Sequence, residues 1–127
     1  MTPSTDPTTA FFDDLASIGH VPLFHSISGT IRIDLNDGGE TIHWYIAIDR
    51  GDVKVSHRSA KADAVMRTEK RLFDGMAKGT VNATAAMLRG VLMLEGDLEL
   101  VASFARLLPG PPRSLASFLE RQKEMSQ

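Results

Sequence analysis

The chain has 127 residues, of which 43% are hydrophobic and 24% are charged. This length suits one compact domain, and the composition is typical of globular proteins with a hydrophobic core. Fourteen Lys and Arg residues against sixteen Asp and Glu residues give a net charge of −2. That balance argues against a nucleic-acid binder, which needs a basic surplus to displace counterions from phosphates. The absence of cysteine excludes disulfides, thiolate catalysis and cysteine-ligated metals.

The two ends of the chain carry no recognisable targeting signal. Residues 1–9 are rich in Thr and Pro and predict a flexible N-terminal tail rather than a signal peptide. The last three residues, Met125-Ser126-Gln127, do not form a peroxisomal address. No apolar run approaches the roughly 20 residues that a membrane-spanning helix needs. We therefore expect a cytoplasmic protein.

The first ordered element is predicted to be a helix from Ala10 to Ile18. Phe11, Leu15 and Ile18 recur at helical spacing, and Gly19 follows as a helix end. Beyond this helix the periodicity changes from helical to alternating.

Three alternating segments, at 27–35, 41–48 and 53–57, are typical of half-buried strands. The links at 36–39 and 49–52 contain Asn, Asp and Gly, which tolerate the positive φ of tight turns. The sequence thus predicts an antiparallel meander of three strands.

The second half mixes helices and strands. Strands are predicted at 62–67 and 91–95, with helices at 69–78 and 82–89 between them. A further helix is predicted at 97–108. This order of elements indicates an α+β domain.

The predicted helix at 97–108 is apolar around most of its circumference. Its polar residues Glu99, Ser103 and Arg106 form one narrow stripe, whereas a surface helix needs only a ~100° apolar face. The apolar surface of this helix beyond that face must be covered by other parts of the protein, by another subunit or by an apolar ligand. A cluster of methionines suits an adaptable apolar wall, although methionine also fills gaps in ordinary cores; these residues are Met66, Met76, Met87 and Met93.

No catalytic or metal-binding motif is recognisable in the sequence. The four histidines, His20, His25, His43 and His57, lack the spacing of metal ligands. There is no nucleophile elbow, and Gly38-Gly39 lies between two strands rather than before a helix. We predict no catalytic residue, metal or cofactor.

The order of several segments resembles that of sterol-carrier-protein-type lipid-binding domains. Gly29-x-Ile31-x-Ile33-x-Leu35, Trp44-x-Ile46-x-Ile48-Asp49 and Val53-x-Val55 resemble the family's opening meander. Later segments resemble its "A-D" strand, its "F-x-x-L-x-x-G-K" helix and its "A-x-x-x-G-x-L-x-I-x-G-D" segment; these are Ala62–Met66, Leu72–Gly79 and Ala85–Asp97. The resemblance spans residues 11–108.

The resemblance implies a five-stranded mixed sheet with helices packed on one face, enclosing an apolar tunnel. Members bind fatty acids, fatty acyl-CoA, sterols, phospholipids or quinones, and the family has no shared catalytic residue. The domain would cover residues 10–108. The chain departs from the family at 109–127, where a Pro-Gly hinge precedes an added helix at about 114–125, and it looks like a stand-alone bacterial member.

The predicted function is non-catalytic binding and transfer of a lipid or other apolar molecule. The sequence also allows transient membrane contact and a homodimer formed through the C-terminal helix. It does not distinguish whether that helix is a lid, a core element or an interface. The predicted tunnel-lining residues are Trp44, Ile46, Met66, Phe73, Met76, Met87, Met93, Val101 and Phe104.

Two alternatives belong to other classes of protein. One is a small enzyme that acts on a hydrophobic substrate in the same cavity, with His25 or His43 as base. The other is an interaction module or accessory subunit of a lipid-modifying enzyme, in which the apolar helix at 97–108 packs on another copy of the chain or on a partner enzyme.

Overall fold

A computed structural model describes residues 6–109 of the chain, which form four helices and five strands. A single 3-10 turn at Pro22–Phe24 follows the first helix. In chain order the elements are α1 (Pro7–Ile18), β1 (Ser28–Asp37), β2 (Glu40–Asp49), β3 (Asp52–Ser56), β4 (Ala64–Glu69), α2 (Lys70–Lys78), α3 (Ala83–Leu88), β5 (Leu92–Gly96) and α4 (Leu98–Ala105).

The five strands form one open sheet in the order β3-β2-β1-β4-β5. Neighbouring strands are antiparallel except β1 and β4, which run parallel. The predicted α+β class, the meander and the mixed five-stranded sheet are therefore confirmed.

Pairing register brings the apolar members of each strand onto one face. Ile33 in β1 lies opposite Trp44 in β2 and opposite Met66 in β4, and all three are buried. Ile31 and Ile46 pair in the same way and are also buried. Because side chains alternate across a strand, this face forms the floor of the hydrophobic core and the polar residues occupy the other face.

Helix α1 begins earlier than predicted. It starts at Pro7 rather than Ala10, because the Asp6 side chain accepts a hydrogen bond from the Thr9 backbone N–H and caps the helix. Residues 7–9, assigned to the tail, are therefore helical, whereas residues 1–5 lie outside the described range. The end at Gly19 is confirmed, but Ile18 is exposed and does not belong to the buried face.

Most of the apolar surface of helix α4 is covered by the chain itself, although Leu98 is 44% exposed. It packs on the sheet through β1, β4 and β5, and the Phe104 ring meets the edge of Phe11 from α1 at 5.9 Å between centroids. The N-terminal helix thus supplies cover for the apolar surplus of α4. The helix predicted at about 114–125, and the lid or dimer roles attached to it, lie outside the described residues.

Candidate functional site

A cavity of about 440 Å³ lies between α1 and the β2–β3 side of the sheet, and we call it the α1 cavity. Such a volume lies within the range of small-molecule sites. The exposed residues Asp13, Ala16 and His57 border it, so it opens to the surface there. Its lining comprises Asp6, Thr8, Thr9, Phe12, Asp13, Ala16, Ile42, Trp44, Val55, Ser56, His57 and Lys70.

The α1 side of the cavity follows from helical spacing. Thr9, Phe12, Asp13 and Ala16 recur at i, i+3, i+4 and i+7 and share one face of the helix. Phe12 and Ala16 make half of this face apolar, and Thr9 and Asp13 make the other half polar. Such a mixed face suits the edge of an apolar cavity, where the lining meets solvent.

Aromatic rings form the inner wall. Phe12 stacks on Trp44 with ring centroids 4.4 Å apart, and on its interior side it stacks on Phe73 at 5.5 Å. Phe104 lies 6.4 Å from Phe12 in a similar orientation. The Phe12–Trp44 pair therefore lies between the α1 cavity and the buried core.

His57 is held against the same wall from the β3 side. Its ring centroid lies 4.1 Å from that of Trp44, and its Nδ1 donates to the backbone carbonyl of His43 at 2.9 Å. The imidazole is thus fixed on the cavity rim by one ring contact and one hydrogen bond.

An ion-pair cluster closes the other end of the cavity and joins α1 to α2. The Lys70 ammonium lies 3.1 Å from Asp74 Oδ2 and 3.5 Å from Asp6 Oδ1. The buried Thr8 hydroxyl donates to Asp74 Oδ1 at 2.6 Å, and the Thr8 backbone N–H donates to the same oxygen at 3.2 Å. The N-terminus of α1 is therefore tied to α2 by charge-assisted hydrogen bonds.

Within this cluster the environment favours the charged forms of Lys70 and Asp6. Burial acts against the charge of Lys70, but hydrogen bonds to Asp74 and the charges of Asp6 and Asp74 outweigh it and raise the pKa of Lys70. Burial likewise opposes the charge of Asp6, while hydrogen bonds from Thr9 and the charge of Lys70 lower the pKa of Asp6. Each partner thus favours the charged form of the other.

The structure distributes the nine predicted tunnel residues unevenly. Trp44 borders the α1 cavity. Met87 is partly buried and packs against the core. Six others lie fully buried in the continuous hydrophobic core: Ile46, Met66, Phe73, Met76, Val101 and Phe104. A tunnel between the sheet and the helices is not directly shown.

Met93 is a wrong prediction. It pairs with Arg67 in β4 and is 58% exposed on the outer face of the sheet. In β5 the inward positions belong to Leu92 and Leu94, which pair with the inward Thr68 and Met66. Met93 therefore cannot line an apolar space between the sheet and the helices.

The outer face carries a second charged cluster, centred on the buried Asp34. The Arg32 guanidinium contacts both oxygens of Asp34, at 2.9 and 3.1 Å, and His43 Nδ1 lies 2.7 Å from Oδ1. Arg67 reaches Asp34 Oδ2 at 3.4 Å and pairs with Glu95 at 2.7 Å. This cluster links β1, β2, β4 and β5 on the face away from the α1 cavity.

Neither histidine considered as a base borders the α1 cavity. His43 belongs to the outer-face cluster, and His25 lies exposed after α1 with its Nδ1 3.2 Å from the Pro22 carbonyl. Within residues 6–109, no three His, Asp or Glu side chains form a group that would hold a metal ion.

The sequence and the fold were compared with those of known proteins. Residues 20–109 match the model of the SCP-2 sterol transfer family, so the chain belongs to that family. None of the curated proteins matches the sequence.

Solved structures share the fold at low sequence identity. Sterol carrier protein domain 2 of Helicoverpa armigera superimposes with a TM-score of 0.66 at 16% identity, covering 84% of this chain and 89% of that one. Sterol carrier protein 2 of Yarrowia lipolytica gives 0.58 at 22% identity, covering 81% and 97%. The sec-alkylsulfatase Pisa1 of a Pseudomonas species gives 0.64 at 21% identity, covering 85% of this chain but only 17% of that one.

The lengths and compositions of the described helices show whether any of them could span a membrane. None of those between residues 6 and 109 has both the length and the apolar character needed to cross a bilayer.

Proposed function

We propose that the protein is a non-catalytic carrier that holds an elongated apolar molecule by its chain in the α1 cavity and passes it to a membrane or an enzyme. The observation that carries this proposal is the cavity itself, with an inner wall of Phe12 and Trp44 and a polar rim at the surface. Membership of a sterol transfer family agrees with an apolar ligand.

Burial of an alkyl chain supplies enough free energy for such a role. Each buried methylene contributes about 0.8 kcal/mol, so a ten-carbon chain offers roughly 8 kcal/mol before the entropic cost of association. An affinity in the micromolar range therefore requires no dense network of polar contacts.

Longer ligands need more room than the α1 cavity supplies. In our proposal their tails part the Phe12–Trp44 pair and enter the core beyond it, toward Phe73, Phe104 and Met66. Methionine in that region favours this route, because its unbranched thioether repacks around different shapes.

The geometry favours the carrier over the two alternatives. The two histidines considered as the base of an enzyme, His25 and His43, lie outside the cavity lining. His57 lies on the rim, where its Nδ1 is bound to the His43 carbonyl. An interaction module would use the apolar surface of α4, but Phe11 and the sheet cover most of that surface within the same chain and leave Leu98 44% exposed.

The test uses the single tryptophan of the chain, Trp44, which borders the cavity. A brominated long-chain alcohol that enters the α1 cavity should quench Trp44 fluorescence in a saturable way. Ala16→Phe, on the α1 face that lines the cavity, should weaken this binding. Ser17→Phe, at the next position, which is also exposed but outside the lining, is the matched control.

Saturable quenching that Ala16→Phe weakens and Ser17→Phe leaves unchanged supports the proposal. Absence of saturable quenching in the unmodified protein, or equal effects of the two variants, contradicts it. Native mass spectrometry of the purified protein adds the mass of any co-purifying ligand.

A further inference from the structure

The rim of the α1 cavity has an unbalanced charge. Asp6 and Asp13 belong to its lining, and Asp74 lies directly behind it on Lys70 and Thr8. Among residues 6–109, Lys70 is the one Lys or Arg of the lining. Among these described groups, three carboxylates against one ammonium leave an excess of two negative charges around the cavity, with Asp13 at its opening.

The Lys70 ammonium is already committed to carboxylates. It contacts both oxygens of Asp74, at 3.1 and 3.2 Å, and Asp6 Oδ1 at 3.5 Å. An ammonium has three N–H donors, so an anionic ligand would have to displace one of these partners. Lys70 is therefore poorly placed to receive a further carboxylate.

No other described cation compensates. Among residues 6–109 no ion pair involves Asp13, which is exposed on α1. Arg58, which follows His57 in the chain, lies over the Tyr45 ring at 5.4 Å. Tyr45 alternates with Trp44 along β2, so Arg58 is held at the opposite face of the sheet.

Two further polar side chains complete the rim. The hydroxyl of Ser56 and the ring of His57 belong to the lining on the β3 side. A hydroxyl and an imidazole can form hydrogen bonds with the hydroxyl or carbonyl end of a neutral ligand.

We infer that the α1 cavity selects elongated apolar ligands whose polar end is uncharged, such as long-chain alcohols, and discriminates against alkyl carboxylates. This inference rests on the proposed function and adds the substrate class. Repulsion between the rim carboxylates and a ligand carboxylate near the protein surface should make the carboxylate bind about tenfold more weakly than the alcohol.

The test compares two ligands with the same chain, 1-dodecanol and dodecanoate, at pH 8 and low ionic strength. Binding is measured by competition with the brominated alcohol at Trp44. Asp13→Lys reverses a charge on the rim, and Asp14→Lys makes the same change one residue along α1, outside the lining.

We expect dodecanol to bind about tenfold more tightly than dodecanoate, and Asp13→Lys to narrow this ratio about fivefold. Asp14→Lys should narrow it much less. Equal affinities, or tighter binding of dodecanoate, overturn the inference and leave the proposed function intact. Equal effects of the two lysine variants overturn the assignment to the rim. Binding of neither ligand overturns the proposed function and the inference together.

Discussion

The rings of Phe12 in α1 and Trp44 in β2 stack with centroids 4.4 Å apart and planes inclined by 19°. Phe12 is fully buried and also stacks on Phe73, so a residue of the first helix lies at the centre of the aromatic core. The same pair forms the inner wall of the α1 cavity. Stability and ligand binding therefore depend on one contact.

The first prediction concerns this contact. Phe12→Ala should lower the free energy of unfolding by about 3–5 kcal/mol, because it removes a buried ring and leaves a cavity. Phe11→Ala is the control on the same helix. Phe11 is only partly buried, so about 1–2 kcal/mol is expected. Urea denaturation followed by circular dichroism measures both, and equal losses would contradict a central role for Phe12.

The second prediction concerns the tie between α1 and α2. Thr8→Val keeps the shape of the buried side chain but removes its hydrogen bond to Asp74. We expect a loss of about 1–2 kcal/mol in stability and faster hydrogen exchange of the α1 amides. Because α1 forms one wall of the cavity, the bound alcohol should also dissociate faster. Thr41→Val, at an exposed position of β2, serves as the control, and unchanged exchange in α1 would contradict the prediction.

The sheet was predictable because its pattern is local. In β1 and β2, polar and apolar residues alternate, and Gly38 and Gly39 between them adopt positive φ in the turn. Alternation then determines which residues face the core, as Ile33 opposite Trp44 shows.

Other features depend on contacts that the local pattern does not contain. In β5, Leu92, Met93 and Leu94 are all apolar, so periodicity alone does not show which of them faces inward. Pairing with β4 decides it and turns Met93 outward. The cover of α4 by Phe11 joins distant parts of the chain, and the α1 cavity depends on the same placement of α1. Helical spacing indicated an amphipathic α1 but not the part of the sheet on which it packs.

The third prediction concerns pH. Burial opposes the charge of Asp34, but hydrogen bonds and positive charge from Arg32 and His43 outweigh it and hold the pKa of Asp34 below its ordinary value of 3.8. Its stabilising contribution is therefore complete above pH 3.8 and is lost as the pH falls through the lowered pKa. Asp34→Asn should cost about 2 kcal/mol at pH 7, since it leaves the half-buried Arg32 without its carboxylate partner.

The difference between Asp34→Asn and the unmodified protein should shrink as the pH is lowered below 3.8. Urea denaturation at several pH values measures it. Asp37→Asn, at the exposed end of the same strand, controls for a general loss of negative charge. A difference that stays constant down to the acid limit of folding would contradict the assignment.

The most direct test of the central claim is a titration of the isotope-labelled protein with 1-dodecanol, followed by ¹H–¹⁵N correlation spectra. Ligand binding in the α1 cavity should produce saturable shifts of the amide resonances of residues 12–16, 42–44 and 55–57, on the cavity walls. The amide resonances of β5, at the sheet edge opposite β3, and of α3, which packs on β5, should not shift. Saturable shifts centred on β5 and α3, or no saturable shifts at all, would contradict the claim that this cavity holds the ligand.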